Sequence, residues 1–204
     1  MSQHRNEPAA SVHPLLEARW SPRAFSGETL TDAELLPLFE AARWAPSASN
    51  EQPWRFIVAR RDQTEAYSRI FACLSESNRR WAGSAGALVI AVSAKVARSG
   101  RENGHARYDL GQAVAHLTVQ ACAAGIYVHQ MGGFSADAAR AAFAIPAGYD
   151  PAVVIALGRL GDPQALDERD RERELTARDR RPLRETVFGS SWGEPTSLAS
   201  LGTA

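Results

Sequence analysis

Two cysteines, Cys73 and Cys122, are too few for a disulfide framework or a thiolate zinc site. Cys122 falls in an apolar helical pattern and reads as a buried, inert thiol. Lysine is almost missing: Lys95 is the only one, so the positive charge is nearly all arginine. Arginine grips phosphate with a planar two-bond fork, although GC-rich coding produces the same bias. Neither sign of charge is in surplus, since Lys plus Arg and Asp plus Glu both total 23. No global field therefore draws nucleic acid or an anionic membrane, and any anion must be caught by local charge. No uncharged apolar run is long enough to span a membrane. The N-terminal MSQHRNEPAAS lacks the apolar centre of a signal peptide. The expectation is a cytoplasmic chain with no nucleic-acid or membrane partner.

The usual catalytic signatures are missing as well. Histidines 4, 13, 105, 116 and 129 lack the spacing of a zinc or iron site, so no metal is expected. There is no G-x-S-x-G elbow, Walker A loop or Rossmann fingerprint. An enzyme without these signatures can still let a bound organic cofactor carry the reaction.

What is present is an ordinary globular balance: 204 residues, 45% hydrophobic and 23% charged. Residues 1–11 read as a flexible tail, 12–193 as a single domain with a C-terminal extension, and 194–204 as a polar tail. Thr31-Asp-Ala-Glu34 is a capping box opening a helix whose Leu35, Leu38, Phe39 and Ala42 share a face. A short helix is expected over 12–19 and a mostly helical stretch over 63–80. The clearest helix spans 105–124, small-residue-rich and ended by Gly125, and is either central or at a subunit interface. Ser135 caps another. Strands are expected at 54–59, 87–93, 126–131 and 152–157, which makes an α+β layered fold. The charge-dense stretch 167–181 pairs Asp167 with Arg171 and Asp170 with Arg173, as a largely solvated helix would. Beyond Pro182 the chain reads as extended.

Three stretches stand apart. In Arg19-Trp-Ser-Pro-Arg23, residues 19, 21 and 23 point the same way along an extended backbone and can converge on one anion. Arg178-Asp-Arg-Arg-Pro182 is a second basic cluster. Between helix and strand, Ala45-Pro-Ser-Ala-Ser-Asn-Glu-Gln-Pro-Trp54 holds more hydrogen-bonding groups than a turn requires, stiffened by proline at both ends.

RWSPRAF, ARWAPSASNEQPWRFIVA, Asn78 with Trp81 before ALVIAV, then GGF and RDRRPL occur in an order that resembles the nitroreductase family of FMN-dependent oxidoreductases. The resemblance runs from about Val12 to Trp192, and its A-P-S-x-x-N-x-Q-P-W block is the most specific part. It implies a mainly antiparallel central sheet flanked by helices, and an intertwined homodimer with FMN sites at the subunit interface. It further implies Arg19, Ser21 and Arg23 at the FMN phosphate, joined by Arg178 and Arg180. Pro46, Ser47, Ser49 and Asn50 would line the flavin from the partner subunit. Asn78 would hydrogen-bond the ring, and the backbone of Met131, Gly132 and Gly133 would approach its N5 side.

The implied activity is a ping-pong cycle in which NAD(P)H is the reductant. An electron-poor small molecule, such as a nitroaromatic or a quinone, is the acceptor. No side chain stands out as a general acid or base, so no catalytic residue is assigned. Two alternatives keep the flavin: a module that senses or stores it without turnover, and a reductase of enals, aldehydes or halogenated aromatics. The chain departs from the family where some branches carry a glutamate and it has Gly132, and where Trp20 replaces an arginine. Its stretch 94–106 is short and basic, with Lys95, Arg98 and Arg101, and reads as a solvated loop.

Overall fold

Strand β2 (Ala87–Ala94) is buried along almost its whole length, and its side chains alternate between two cores. Ala87, Val89 and Ala91 enter one core, while Leu88, Ile90 and Val92 enter the other. A strand with apolar residues on both faces needs cover on both. The computed structural model, which describes residues 8 and 10–200, supplies it with helices on either side of an antiparallel sheet. The sheet order is β1 (Trp54–Arg60), β2, β4 (Tyr149–Gly158), β3 (Tyr127–Met131).

On one face, α2 (Asp32–Arg43) contributes Leu35, Leu38 and Ala42, and α5 (Ala106–Ala123) contributes Leu110, Ala113, Val114, Leu117 and Ala121. The small residues let α5 approach both the sheet and α2, so one side of it lies centrally in the core. On the other face lie α3 (Thr64–Ala72), α4 (Glu76–Ala82) and α6 (Ala136–Phe143), with Tyr67, Ile70, Trp81 and Ala139 inward. Each fully buried Leu, Ile or Val contributes about 1.5–3 kcal/mol relative to exposure. The Thr31–Glu34 capping box forms, Ser135 accepts the Ala138 N–H, and Gly125 (φ +68°) ends α5 in the left-handed region.

Several expected boundaries shift. The stretch 63–80 splits into α3 and α4, because the chain turns through Cys73 and Leu74, where Leu74 bridges to Phe134. Strand β4 begins at Tyr149, carrying Pro151 beside a register shift in the β2–β4 pairing. Cys122 is half-buried rather than buried; Cys73 is the enclosed one, and burial pushes both thiols up.

The chain divides into two units, residues 18–174 and residues 1–17 with 175–204. The second contains most of α1 (Pro14–Ala18), a short 3₁₀ turn at Leu183–Glu185 where extended chain was expected, and α8 (Ser197–Ser200). The expected tails lie partly outside the described residues. Among the described residues, no helix is long and apolar enough to cross a membrane.

Candidate functional site

The Arg19–Ala24 segment makes no regular structure, yet it is held on several sides. Glu174, on α7 (Glu168–Leu175), accepts the backbone N–H of Arg23 at 2.7 Å and of Ala24 at 3.3 Å. His129 of β3 donates through Nδ1 to the Pro22 carbonyl at 2.8 Å, since a carbonyl can only accept. The Ala24 carbonyl receives the Gly161 N–H at 2.9 Å, and Phe25 bridges to Leu160. Arg19 Nη1 donates to Ser21 Oγ at 3.2 Å, so two of the three anion candidates do converge.

Arg23 differs from that expectation. Its guanidinium leans toward buried Asp170, with Nε 3.8 Å from Oδ1. Burial pulls the Arg23 guanidinium below its usual range, and the Asp170 charge opposes that shift. Asp170 also binds Arg80 of α4, whose Nε donates to Oδ2 at 3.1 Å. The segment 167–181 is therefore not simply a solvated helix: Asp170 and Glu174 are both 2% exposed. They are one turn apart, so both carboxylates face inward from the same side of α7. Sequence reasoning missed them because a buried helix face is ordinarily recognised by apolar residues, and this face is acidic.

The imidazole of His129 packs against Trp81, with ring centroids 4.4 Å apart. Burial lowers its pKa from 6.5 to about 4, a shift the Pro22 hydrogen bond opposes and the Arg23 charge reinforces. It is therefore neutral at pH 7.

Asn78 and the end of β3 form a third cluster. Asn78 Nδ2 donates to the Gly133 carbonyl at 2.9 Å, and the Ser75 N–H donates to the same oxygen at 2.9 Å. A Cβ on Gly133 would stand 2.8 Å from both Asn78 Nδ2 and Ser75 Oγ, which is why glycine is needed there. A Cβ on Gly132 would meet nothing within 4 Å. Gly132 thus borders open space, while Met131 before it is a core residue that can offer a ligand only its backbone. Because Arg80 and Asn78 share α4, the Arg80–Asp170 pair ties this cluster to Arg23.

Ala45–Pro53 is the most strained stretch. Ser49, Asn50 and Gln52 all have φ near +50°, a region that costs L-residues about 1–2 kcal/mol each. The geometry persists because it is over-determined. Ser47 Oγ accepts the Gln52 N–H at 3.0 Å, and Gln52 Nε2 donates to Asn50 Oδ1 at 2.9 Å. Arg98 Nη2 donates to the Asn50 carbonyl at 2.9 Å, and Glu51 accepts the Arg98 N–H at 2.9 Å. Asp109 of α5, 1% exposed, accepts the Ala48 N–H at 3.1 Å. Pro46, Ser49 and Asn50 are left exposed. Asp109 had a visible signal: Asp109, Ala113 and Leu117 share the buried stripe of α5, an unusual place for a carboxylate.

Arg178 and Arg180 belong to the second unit. There Arg178 Nη2 donates to the Glu17 carbonyl at 2.9 Å, and Arg180 Nη1 to the Asp179 carbonyl at 2.6 Å.

A helix-covered antiparallel sheet with a strained polar loop and a glycine strand end is an α+β frame. Known proteins with this frame give it a family. The Nitroreductase family model matches residues 16–87. A crystal structure described as the oxidoreductase containing FMN superposes with a TM-score of 0.87 at 34% identity, over 94% of this chain and 97% of that one. A nitroreductase family protein from Clostridium difficile 630 superposes at 0.68 and 21% identity, over 87% and 96%, a likeness of fold alone. An uncharacterized 15.4 kDa protein of Mycolicibacterium smegmatis is 36% identical over 147 residues, which are 69% of this chain and 99% of the relative. The chain belongs to the nitroreductase family.

Proposed function

We propose that this protein is an FMN-dependent oxidoreductase that takes electrons from NAD(P)H and delivers them to an electron-poor small molecule. The observation that carries the reading is the end of β3. Gly132 leaves open space where a side chain would stand, and Asn78 is fixed beside it through Gly133. A flat ring can lie against such a strand end. The solved relative at 34% identity contains FMN, which supports the same reading.

FMN, when bound, supplies the hydride chemistry of a ping-pong cycle. The chain's part is binding and orientation. Arg19 and Ser21 offer a guanidinium and a hydroxyl to the phosphate, and Arg23 adds a charge partly offset by Asp170. Asn78 and the Gly132–Gly133 backbone border the ring. Pro46, Ser47, Ser49 and Asn50 form an edge, supplied in this reading to the partner's flavin in a homodimer. Exposed Leu36, Trp44 and Tyr108 on or beside α2 and α5 support a second copy packing there. Arg178 and Arg180 are assigned to the phosphate on the resemblance alone.

Titration with FMN and riboflavin tests the binding half. Arg19→Ala weakens FMN binding roughly ten- to a hundredfold and leaves riboflavin, which lacks the phosphate, nearly unchanged. Equal losses, or none, remove Arg19 from the phosphate. Turnover of NADH or NADPH with a nitroaromatic and quinone panel separates an enzyme from a flavin store, which shows no acceptor-dependent oxidation.

A further inference from the structure

We infer that Glu174 and Asp170 of α7 are positioning residues that hold the Arg19–Ala24 segment in its anion-binding form, an inference that rests on the FMN reading for its functional half. Glu174 spends both carboxylate oxygens on two consecutive backbone N–H groups, those of Arg23 and Ala24. That is the way a capping side chain fixes a helix end, here applied to irregular chain. Without it, two amides within the segment would lose their acceptor inside the protein, and the backbone would turn to find another.

Asp170 acts on the side chain where Glu174 acts on the backbone. Its Oδ2 is occupied by Arg80, but its buried Oδ1 accepts no hydrogen bond. Arg23 Nε and Arg173 Nη1 both stand 3.8 Å from that oxygen, close enough for attraction and too far for a bond. Arg23 is thereby drawn to one side without being locked, and the Arg80 link keeps α4, with Asn78, in register with it. One acidic helix face thus links Arg23 and Asn78, which are 55 residues apart in sequence.

Hydrogen exchange of the full-length protein, with flavin titration alongside, tests this. The Arg23 and Ala24 amides are protected in the wild type. In Glu174→Ala they exchange at least about tenfold faster, while the amides of Ile90 and Leu117 change little. Binding of FMN weakens about tenfold and that of riboflavin much less. Glu174→Gln, which keeps one of the two acceptor oxygens and replaces the other with an NH2, falls between, which guards against a misfolded alanine variant. Asp170→Asn leaves the two amides protected yet still weakens FMN binding several-fold. Glu168→Gln, on the exposed side of the same helix, matches the wild type. A uniform rise in exchange across the protein overturns the inference, because Glu174 would then be a general stabiliser. So does faster exchange at Arg23 and Ala24 with unchanged FMN affinity. A wild type that fails to bind FMN sinks the proposed function instead, and the exchange pattern alone then decides whether the clamp exists.

Discussion

The segment 19–24 and the loop 46–52 are the two polar stretches that the sequence marks most clearly, and the fold secures them in opposite ways. The loop is held mainly by its own neighbours, through Ser47, Asn50 and Gln52, with Asp109 of α5 and Arg98 of the stretch 94–106 added. The segment has little local support beyond the Arg19–Ser21 bond. It depends on His129 and Glu174, more than 100 residues further along the chain. The loop carries backbone strain; the segment carries almost all its restraint at a distance. A locally closed loop can be shaped early and kept rigid, whereas a segment held from afar is set only when the whole unit is folded.

Acid breaks this comparison most strongly. His129 is neutral in the fold with a pKa of about 4, while the unfolded chain takes up the proton near 6.5. Its stabilising contribution is complete above pH 6.5 and is lost as the pH falls toward 4. Roughly 3 kcal/mol is at stake. Denaturant unfolding across this range should show the slope, and His129→Gln, which keeps a donor for the Pro22 carbonyl, should flatten it. Hydrogen exchange under the same acidification should loosen residues 19–24 before the loop.

The next effect acts on the loop alone. Asp109→Ala removes the acceptor of the Ala48 N–H, a charge-assisted bond that contributes about 1.5–3 kcal/mol. Limited proteolysis should then cut between Pro46 and Gln52 while the exchange of Arg23 and Ala24 stays unchanged. Coupled loosening of both stretches would show that they are not independently held.

The smallest effect has the opposite sign. Ser49 is exposed and sits at φ +50°, so Ser49→Gly relieves strain there. The unfolded chain gains freedom from the same change, which leaves a net stabilisation of about 0.5 kcal/mol. Thermal unfolding measures it. A destabilised variant would show that the loop's strain at Ser49 is already compensated.

Much of this was legible beforehand, for identifiable reasons. The capping box at Thr31, the Ser135 cap and the helix stop at Gly125 are local chemistry, and each forms where the residues placed it. Strand β2 was readable as a buried apolar run. The polar block 46–53 announced itself by composition, although its three left-handed residues did not, since only Asn50 among them commonly takes that conformation.

By itself, then, the sequence determined the α+β layering, the positions of the candidate binding stretches and the arginine chemistry on offer, because these depend on residue type and short spacing. The tertiary structure alone decided which acids would be solvated and which buried. Asp170 and Asp167 look equivalent in the chain, yet one is enclosed by arginines from three elements and the other is exposed. It also decided that His129 would be neutral, because burial and the Arg23 charge are properties of the folded neighbourhood. Local hydrogen bonds and periodicity are written along the chain, whereas desolvation and long-range charge exist only once distant residues are brought together.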